Sequence, residues 1–348
     1  MKPLWGSRSL ASVGLTLALL VVGATAMAAA CGGTSTTASN TPSATTSTSA
    51  EPSQSATPLP SPTVAGVIAF EKVVETGENF EGENSVTKSN ICVVNADGTS
   101  LKTLAQAPTR ESQPTWSPDG GRIVYVVYGV GMDNLNYAAL WVMSGDGSGK
   151  RQLTKGSVRG IDPAWSLDGK QIAFSGTGLP GEGKTHFSIY VMNADGSGLR
   201  SVRRLAGGKT PQEYQPAWAP DGRILFLRLG DVWSVKLDGS GLAQLTKAGN
   251  VARFALSPDG KSIALQTSET VGVAATRGSG APVTLIEPVS DFMVDPNAAA
   301  AWTSDGKALA MASGGPMGSR LYVVNADGSR LSAVPGVDTA AYPAWRPK

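Results

Sequence analysis

Histidine and cysteine are nearly absent from these 348 residues: one of the first, His186, and two of the second, Cys31 and Cys92. A single histidine excludes a multi-histidine metal centre, and any Ser-His-Asp relay would have to run through His186 alone. Two cysteines exclude a disulfide framework, so buried apolar area must hold the folded body together. An excess of one charge is also missing, since 29 basic residues face 27 acidic ones. That balance gives no electrostatic reason for nucleic acid or an anionic lipid surface as partner.

What is present divides the chain into three parts. Lys2 and Arg8 precede a mostly apolar stretch from Leu10 to Ala30 that ends in small residues, the charge, core and cleavage pattern of an export signal. Residues 1–30 are therefore expected to be a signal peptide. Ala28-Ala29-Ala30-Cys31-Gly32-Gly33 resembles the lipobox of bacterial lipoproteins, with Ala28 where leucine is usual. The resemblance implies acylation of Cys31 and a stable lipid anchor; the alternatives are secretion after the same Ala-rich run and an uncleaved span of marginal length. Taking Lys2 and Arg8 from the 29 basic residues leaves 27, equal to the 27 acidic ones. Residues 31–65 are almost wholly Ser, Thr, Ala, Pro, Gly, Asn and Gln, too polar to offset the entropy of ordering, and read as a disordered tether spanning about 30 Å. With Cys31 used for lipid, Cys92 in the run Ile91–Val94 is expected to be a small core residue.

Residues 66–348 repeat one phrase. Trp116-Ser117-Pro118-Asp119-Gly120 recurs with its Asp at 168, 221, 259 and 305, Leu256 standing for Trp in the fourth copy. A repeat of roughly 40–50 residues built from short β-branched runs and Gly/Asp turns predicts tandem antiparallel sheets of four strands, the blades of a β-propeller. In the unit from Gln215 the strands are expected at 215–218, 224–227, 231–237 and 242–246. The second turn of each unit repeats as Asn95-Ala96-Asp97-Gly98, Asn193-Ala194-Asp195-Gly196 and Asn325-Ala326-Asp327-Gly328. The body opens on a second strand, Val67–Phe70, and ends on a first strand, Tyr342–Trp345. The C-terminal strand is therefore expected beside Ile68, closing an all-β, six-bladed ring and removing its open edges.

Pro163–Phe174 and Ile189–Gly198 resemble the WD40-like repeats of TolB-type propellers. The α/β domain that precedes the propeller in TolB is missing from the pattern, so TolB's partners are not implied. The fifth unit departs most, with Phe254-Ala255-Leu256 for the Trp motif and Gly278-Ser279-Gly280 for the second turn.

Several residues invite a chemical role and are better explained by structure. The repeated Trp116, Trp165, Trp218, Trp302 and Trp345 suit packing between sheets. The turn aspartates supply one carboxylate each, too few for a calcium loop, and no cofactor or metal is expected. Hydrolases that carry such propellers would need a Gly-x-Ser-x-Gly elbow and a further α/β domain, and neither is in the sequence. First-strand residues facing a central channel are mostly Pro, Ala, Gln and Thr, a lining poor in acids and bases. Recognition is placed instead on three long loops, 71–90, 130–138 and 176–188. They carry Glu75, Glu78, Phe80, Glu81, Glu83 and Met132, and the binding rim is expected at Asp133, Tyr137, Glu182 and His186 with Glu213 and Tyr214 alongside. Such a rim suits a cationic or sugar-like ligand or a protein. The chain is accordingly expected to be a non-catalytic, monomeric binding or scaffold lipoprotein of the cell envelope, on the outer face or the periplasmic side of a membrane. Its partner would be an envelope protein or surface ligand. The alternative is a propeller enzyme acting on glycans or peptides through channel or rim carboxylates.

Overall fold

The structure of the protein, a computed structural model, describes residues 64–77, 86–106, 108, 110–129, 137–179, 186–202, 212–276, 283–286, 293–294, 300–314 and 319–348. Every regular element among them is a β-strand. The chain opens with β1 (Val67–Gly77), β2 (Val86–Asn95) and β3 (Lys102–Ala105), then β4 (Arg110–Trp116), β5 (Arg122–Gly129), β6 (Tyr137–Ser144) and β7 (Arg151–Gln152). One four-stranded sheet follows from β8 (Arg159–Trp165), β9 (Gln171–Thr177), β10 (Ser188–Asn193) and β11 (Arg200–Ser201). The next contains β12 (Tyr214–Trp218), β13 (Ile224–Arg228), β14 (Asp231–Val235) and β15 (Ala243–Gln244). A further one contains β16 (Arg253–Leu256), β17 (Ser262–Gln266), β18 (Val271–Ala275) and β19 (Val283–Ile286). In the last sheet β20 (Met293–Val294) and β21 (Ala301–Trp302) both pair with β22 (Ala308–Gly314), which leads to β23 (Arg320–Asn325) and β24 (Ser332–Asp338).

The final strand, β25 (Ala340–Trp345), returns to the first. It pairs antiparallel with β1, Ile68 opposite Trp345 and Ala69 opposite Ala344, as the sequence predicts. The β25-β1-β2-β3 and β4-β5-β6-β7 groups are linked into one eight-stranded sheet through a single parallel bridge, Ser89 to Arg110.

Period-two alternation explains how these strands pack. Ile123 and Tyr125 of β5 point into the seam with β1 and β2, while Val124 and Val126 point into the seam with β9 and β10. Ile224 and Phe226 of β13 likewise face β9 and β10, with Leu225 and Leu227 facing β17. A sheet covered on both faces can afford continuous apolar runs, which is why Ile123–Val126 and Ile172–Phe174 carry no polar alternation. The buried side chains form six clusters, each drawn from two neighbouring repeats. Trp116, Trp165, Trp302 and Trp345 each lie buried in one of them, and Trp218 packs half-buried against another. Core packing is therefore the observed role of the tryptophans. Cys92 is also interior, in the cluster with Ile68 and Phe70, and burial pushes its thiol pKa up.

The fifth repeat folds like the others in β16–β19 despite its altered motifs. One expected loop does not: residues 71–77 and 86–90 are strand, extending the β1–β2 hairpin past a bulge between Val73 and Glu75. The remaining residues of that loop, with Glu78, Phe80, Glu81 and Glu83, lie outside the described residues, as does Met132.

Both Asp-Gly turns close as the repeats require. In the first, Gly120 takes φ of 63°, a conformation glycine adopts without steric cost, while Ser117 Oγ and the Gly121 amide donate to Asp119 Oδ1 at 2.5 and 3.0 Å. In the second, Asp195 Oδ1 accepts from Ser197 Oγ and the Ser197 amide at 2.6 and 2.8 Å. Nine turn aspartates have carboxyl pKa values below the ordinary range, held there first by a Ser or Thr hydroxyl and then by a backbone amide. A depressed folded-state pKa means the unfolded chain binds protons first as the solution is acidified. The turns' contribution is complete above the unfolded value of about 3.9 and is lost as pH falls through the folded values. Urea midpoints are accordingly expected to hold between about pH 7 and 5 and to drop together below about pH 4. A decline beginning near neutrality would contradict this origin.

Candidate functional site

The residue before the proline of each x-Pro-Ala/Thr-Trp segment has an unusual backbone. Gln113, Asp162, Gln215 and Tyr342 all have positive φ, from 48° to 53°. At each, the pairing of the innermost strand slips, a β-bulge that re-aims one side chain. Non-glycine residues in this region cost about 1 kcal/mol or more each, and such strain persists where the surrounding structure fixes it. Aligned on Leu256, the fifth repeat contributes Arg253 to the same column.

These five residues line one cavity of about 200 Å³, onto which β4, β8, β12, β16, β21 and β25 face. Proline, alanine, glutamine and threonine contribute to its wall, as expected, yet it is not free of charge. Arg253 Nη1 lies 3.0 Å from Asp162 Oδ1, and the two side chains are 17% and 9% exposed. Gln113 binds Asp162 reciprocally, its Nε2 donating to Oδ1 at 3.0 Å and its Oε1 accepting from the Asp162 amide at 2.7 Å. Ser175 Oγ donates to Oδ2 at 3.2 Å, and Arg253 Nη2 donates to the Tyr342 hydroxyl at 3.3 Å. Burial opposes the Arg253 charge, but Asp162 and Tyr342 outweigh it and hold the guanidinium pKa above its usual value. Burial raises the Tyr342 phenol pKa. On β1, opposite Ala341 of β25, Glu71 is fully buried; Arg110 Nε donates to it at 2.9 Å and Ser112 also donates.

A second cavity, about 580 Å³, shares Asp162, Gln215 and Arg253 with the first. Tyr214, Arg228 and the Leu229-Gly230 turn complete it. Two polar atoms here have no hydrogen-bond partner among the described residues: the buried Gln215 Oε1, an acceptor, and Arg228 Nε, a donor. Leu229 is 70% exposed at the mouth.

Of the expected rim, Tyr214 lies at this cavity and its phenol donates to Gln212. His186 is half-buried beside Phe187, whose ring meets that of Tyr214 at 5.4 Å. Glu213 does not present its carboxylate outward: it is 1% exposed, with Oε1 3.8 Å from Arg228 Nη1. The reason is the neighbouring strand, which brings a guanidinium to a side chain that reads as a loop acid in isolation. Asp133 and Glu182 lie outside the described residues, as do the side chains of Tyr137 and Glu75. Sequence reasoning missed Asp162, Arg253, Gln215 and Tyr342. Their signal was the variable position three residues before each Trp or its Leu256 equivalent, which precedes a proline in every case but Arg253.

Leu229 and Gly230 have φ of 54° and 74°, so the two-residue β13–β14 connection has positive φ at both central positions. Such turns favour Asn-Gly, and a branched apolar side chain is out of place there. Leu229→Asn is expected to stabilise the fold by about 0.5–1 kcal/mol, read as a raised thermal midpoint. An unchanged or lowered midpoint would mean that Leu229 packs usefully as it stands.

The family model described as the TolB β-propeller domain, PD40, matches residues 80–348. The chain belongs to that family. Among solved structures the propeller is similar to TolB from Acinetobacter baumannii, at 20% identity and a TM-score of 0.62, covering 81% of this chain and 67% of that one. A TolB described as putative, from Agrobacterium tumefaciens, aligns at 16% identity and a TM-score of 0.55 over 80% of this chain and 91% of that one. A chain from a nidogen/laminin complex gives 11% identity and a TM-score of 0.58 over 81% and 98%. No curated protein matches the sequence. At these identities the solved structures share the fold.

Proposed function

We propose that the protein is an exported, lipid-anchored envelope protein whose six-bladed propeller binds a partner at the linked cavities and performs no catalysis. The observation that carries this reading is that Gln215 and Arg228 line one cavity beside the exposed Leu229, and each holds a buried polar atom, Oε1 and Nε, with no partner among the described residues. Buried polar atoms normally find partners, so an acceptor and a donor on the walls of one cavity beside an apolar residue suit a polar segment with an apolar side chain. A protein or peptide fits this chemistry better than a cation, because Asp162, Glu71 and Glu213 each already face an arginine. The same neutralisation disfavours the alternative of an enzyme acting on glycans or peptides, since a general acid or base would first have to be freed from its partner.

Six blades are the count that the six inter-repeat clusters and the β25–β1 pairing support. Export and anchoring rest on residues 1–30 and Cys31, with secretion as the alternative, on the outer face or the periplasmic side of a membrane. The binding test is capture of envelope proteins by the tethered propeller. Gln215→Ala with Leu229→Asn is expected to reduce capture about tenfold, whereas equal capture would refute the site. Mass spectrometry of the mature N-terminus tests the anchor: Cys31 should be the first residue and carry acyl chains.

A further inference from the structure

The seam between the β12–β15 and β16–β19 sheets differs from the others in one side chain. Five seams take an indole, from Trp116, Trp165, Trp218, Trp302 or Trp345, and this one takes Leu256. A cleft of about 860 Å³ opens there, walled by Leu225, Leu245 and Leu256, with Asp221, Arg223 and Lys261 on its rim. It lies by the Pro-Asp-Gly turns, at the opposite end of the strands from the β13–β14 turn, so it is separate from the site proposed above.

The other seams show what this position is built to hold. Trp165, Trp218 and Trp302 donate from Nε1 to the carbonyls of Thr115, Ala164 and Ala255 at 3.3, 3.2 and 2.9 Å. Each acceptor is the residue before the Trp or Leu of the preceding repeat, and in the same register the equivalent acceptor for an indole at the Leu256 position is the Ala217 carbonyl, which packs against this seam's cluster. Arg122, which precedes Ile123, lies over the Trp165 ring at 4.6 Å from the centroid. Arg223 precedes Ile224 in the same way, lines the cleft, and is braced by Asp221 at 2.9 Å and Ser234 at 3.2 Å. Apolar walls, a cation able to cover a π face and a carbonyl for an N–H are together the complement of indole.

We propose that this cleft is a docking socket for a tryptophan side chain presented by a partner protein. The occupant reproduces, from outside, the contact that Trp165 makes in its own seam, with its N–H on a carbonyl and an arginine over its ring. The Arg223 cation complements the negative face of the ring.

The test measures binding of Gly-Gly-Trp-Gly-Gly and Gly-Gly-Leu-Gly-Gly to the full chain by equilibrium dialysis. The Trp peptide is expected to bind about tenfold more tightly. Leu256→Trp should raise the thermal midpoint, because the indole enters the place its equivalents hold, and should abolish Trp-peptide binding. Arg223→Gln should weaken that binding about fivefold while leaving the Leu peptide unaffected. Equal binding of the two peptides, or Trp-peptide binding that survives Leu256→Trp, would overturn the proposal. So would a Leu256→Trp chain that is destabilised or does not fold, since the cleft would then not admit the ring. Capture by the opposite end of the propeller is independent of every outcome.

Discussion

Deleting residues 340–348 is expected to abolish the cooperative urea transition of the propeller. The segment contributes to two seams at once. Trp345 sits in the cluster with Ile68, Phe70, Leu321 and Val323, and Arg346 lies over the Trp116 ring at 5.1 Å with its Nε donating to the Gly120 carbonyl at 3.0 Å. Truncating a buried tryptophan alone costs about 3–5 kcal/mol, while whole domains of this kind are stable by only about 5–15 kcal/mol. The deletion also strips β1 of its partner and exposes an edge strand along Val67–Lys72. Urea titration followed by tryptophan fluorescence and circular dichroism checks the outcome. A truncated chain that unfolds at the same midpoint would mean the last strand is an accessory and would remove the basis for a closed ring. A synthetic peptide of residues 339–348 added in trans should restore the transition, because β25 joins β1 through backbone pairing and side-chain burial that need no covalent continuity.

The parts of this fold legible in the sequence are those with a local cause. An Asp-Gly pair specifies a turn through its own side-chain acceptor and its own positive φ, so both turns of each repeat are visible residue by residue, as at Asp119 and Asp195. A strand buried on both faces shows as a continuous apolar run, as at Ile123–Val126. The pairing of β25 with β1 follows from counting strands, since the opening repeat lacks a first strand and the chain ends on one. The site residues have non-local causes. Asp162 and Arg253 are two repeats apart, and only the packing of the repeats brings one to the other. Averaged over each first strand the channel reads as Pro, Ala, Gln and Thr, but a bulge selects the single residue before the proline at Gln113, Asp162, Gln215 and Tyr342, and alignment adds Arg253 to that column. Glu213 was misplaced for the same reason: its burial depends on Arg228 from the adjacent strand.

Arg253→Met should be among the most destabilising single substitutions at the site, at about 2–4 kcal/mol, although Arg253 lies in no hydrophobic cluster. The cost comes from what remains. Asp162, 9% exposed, keeps the hydrogen bonds from Gln113 and Ser175 but loses the cation that neutralises it, and an uncompensated charge in a partly desolvated cavity is expensive. Replacing both members, Asp162→Asn with Arg253→Met, should recover most of the loss, because no charge is left, although the single amide oxygen keeps only one of the hydrogen bonds from Gln113 and Ser175. A double-mutant cycle by urea denaturation is expected to return a coupling of about 2 kcal/mol. If Arg253→Met costs less than about 0.5 kcal/mol, water already screens the pair and it behaves as a surface contact. The double variant also separates architecture from recognition. With stability restored and the cavity neutral, capture of the partner should still fall if the ion pair orients Gln215 and Tyr342 toward it. It should be unchanged if the pair only holds the inner strands together, which would confine recognition to Gln215, Arg228 and Leu229 at the mouth.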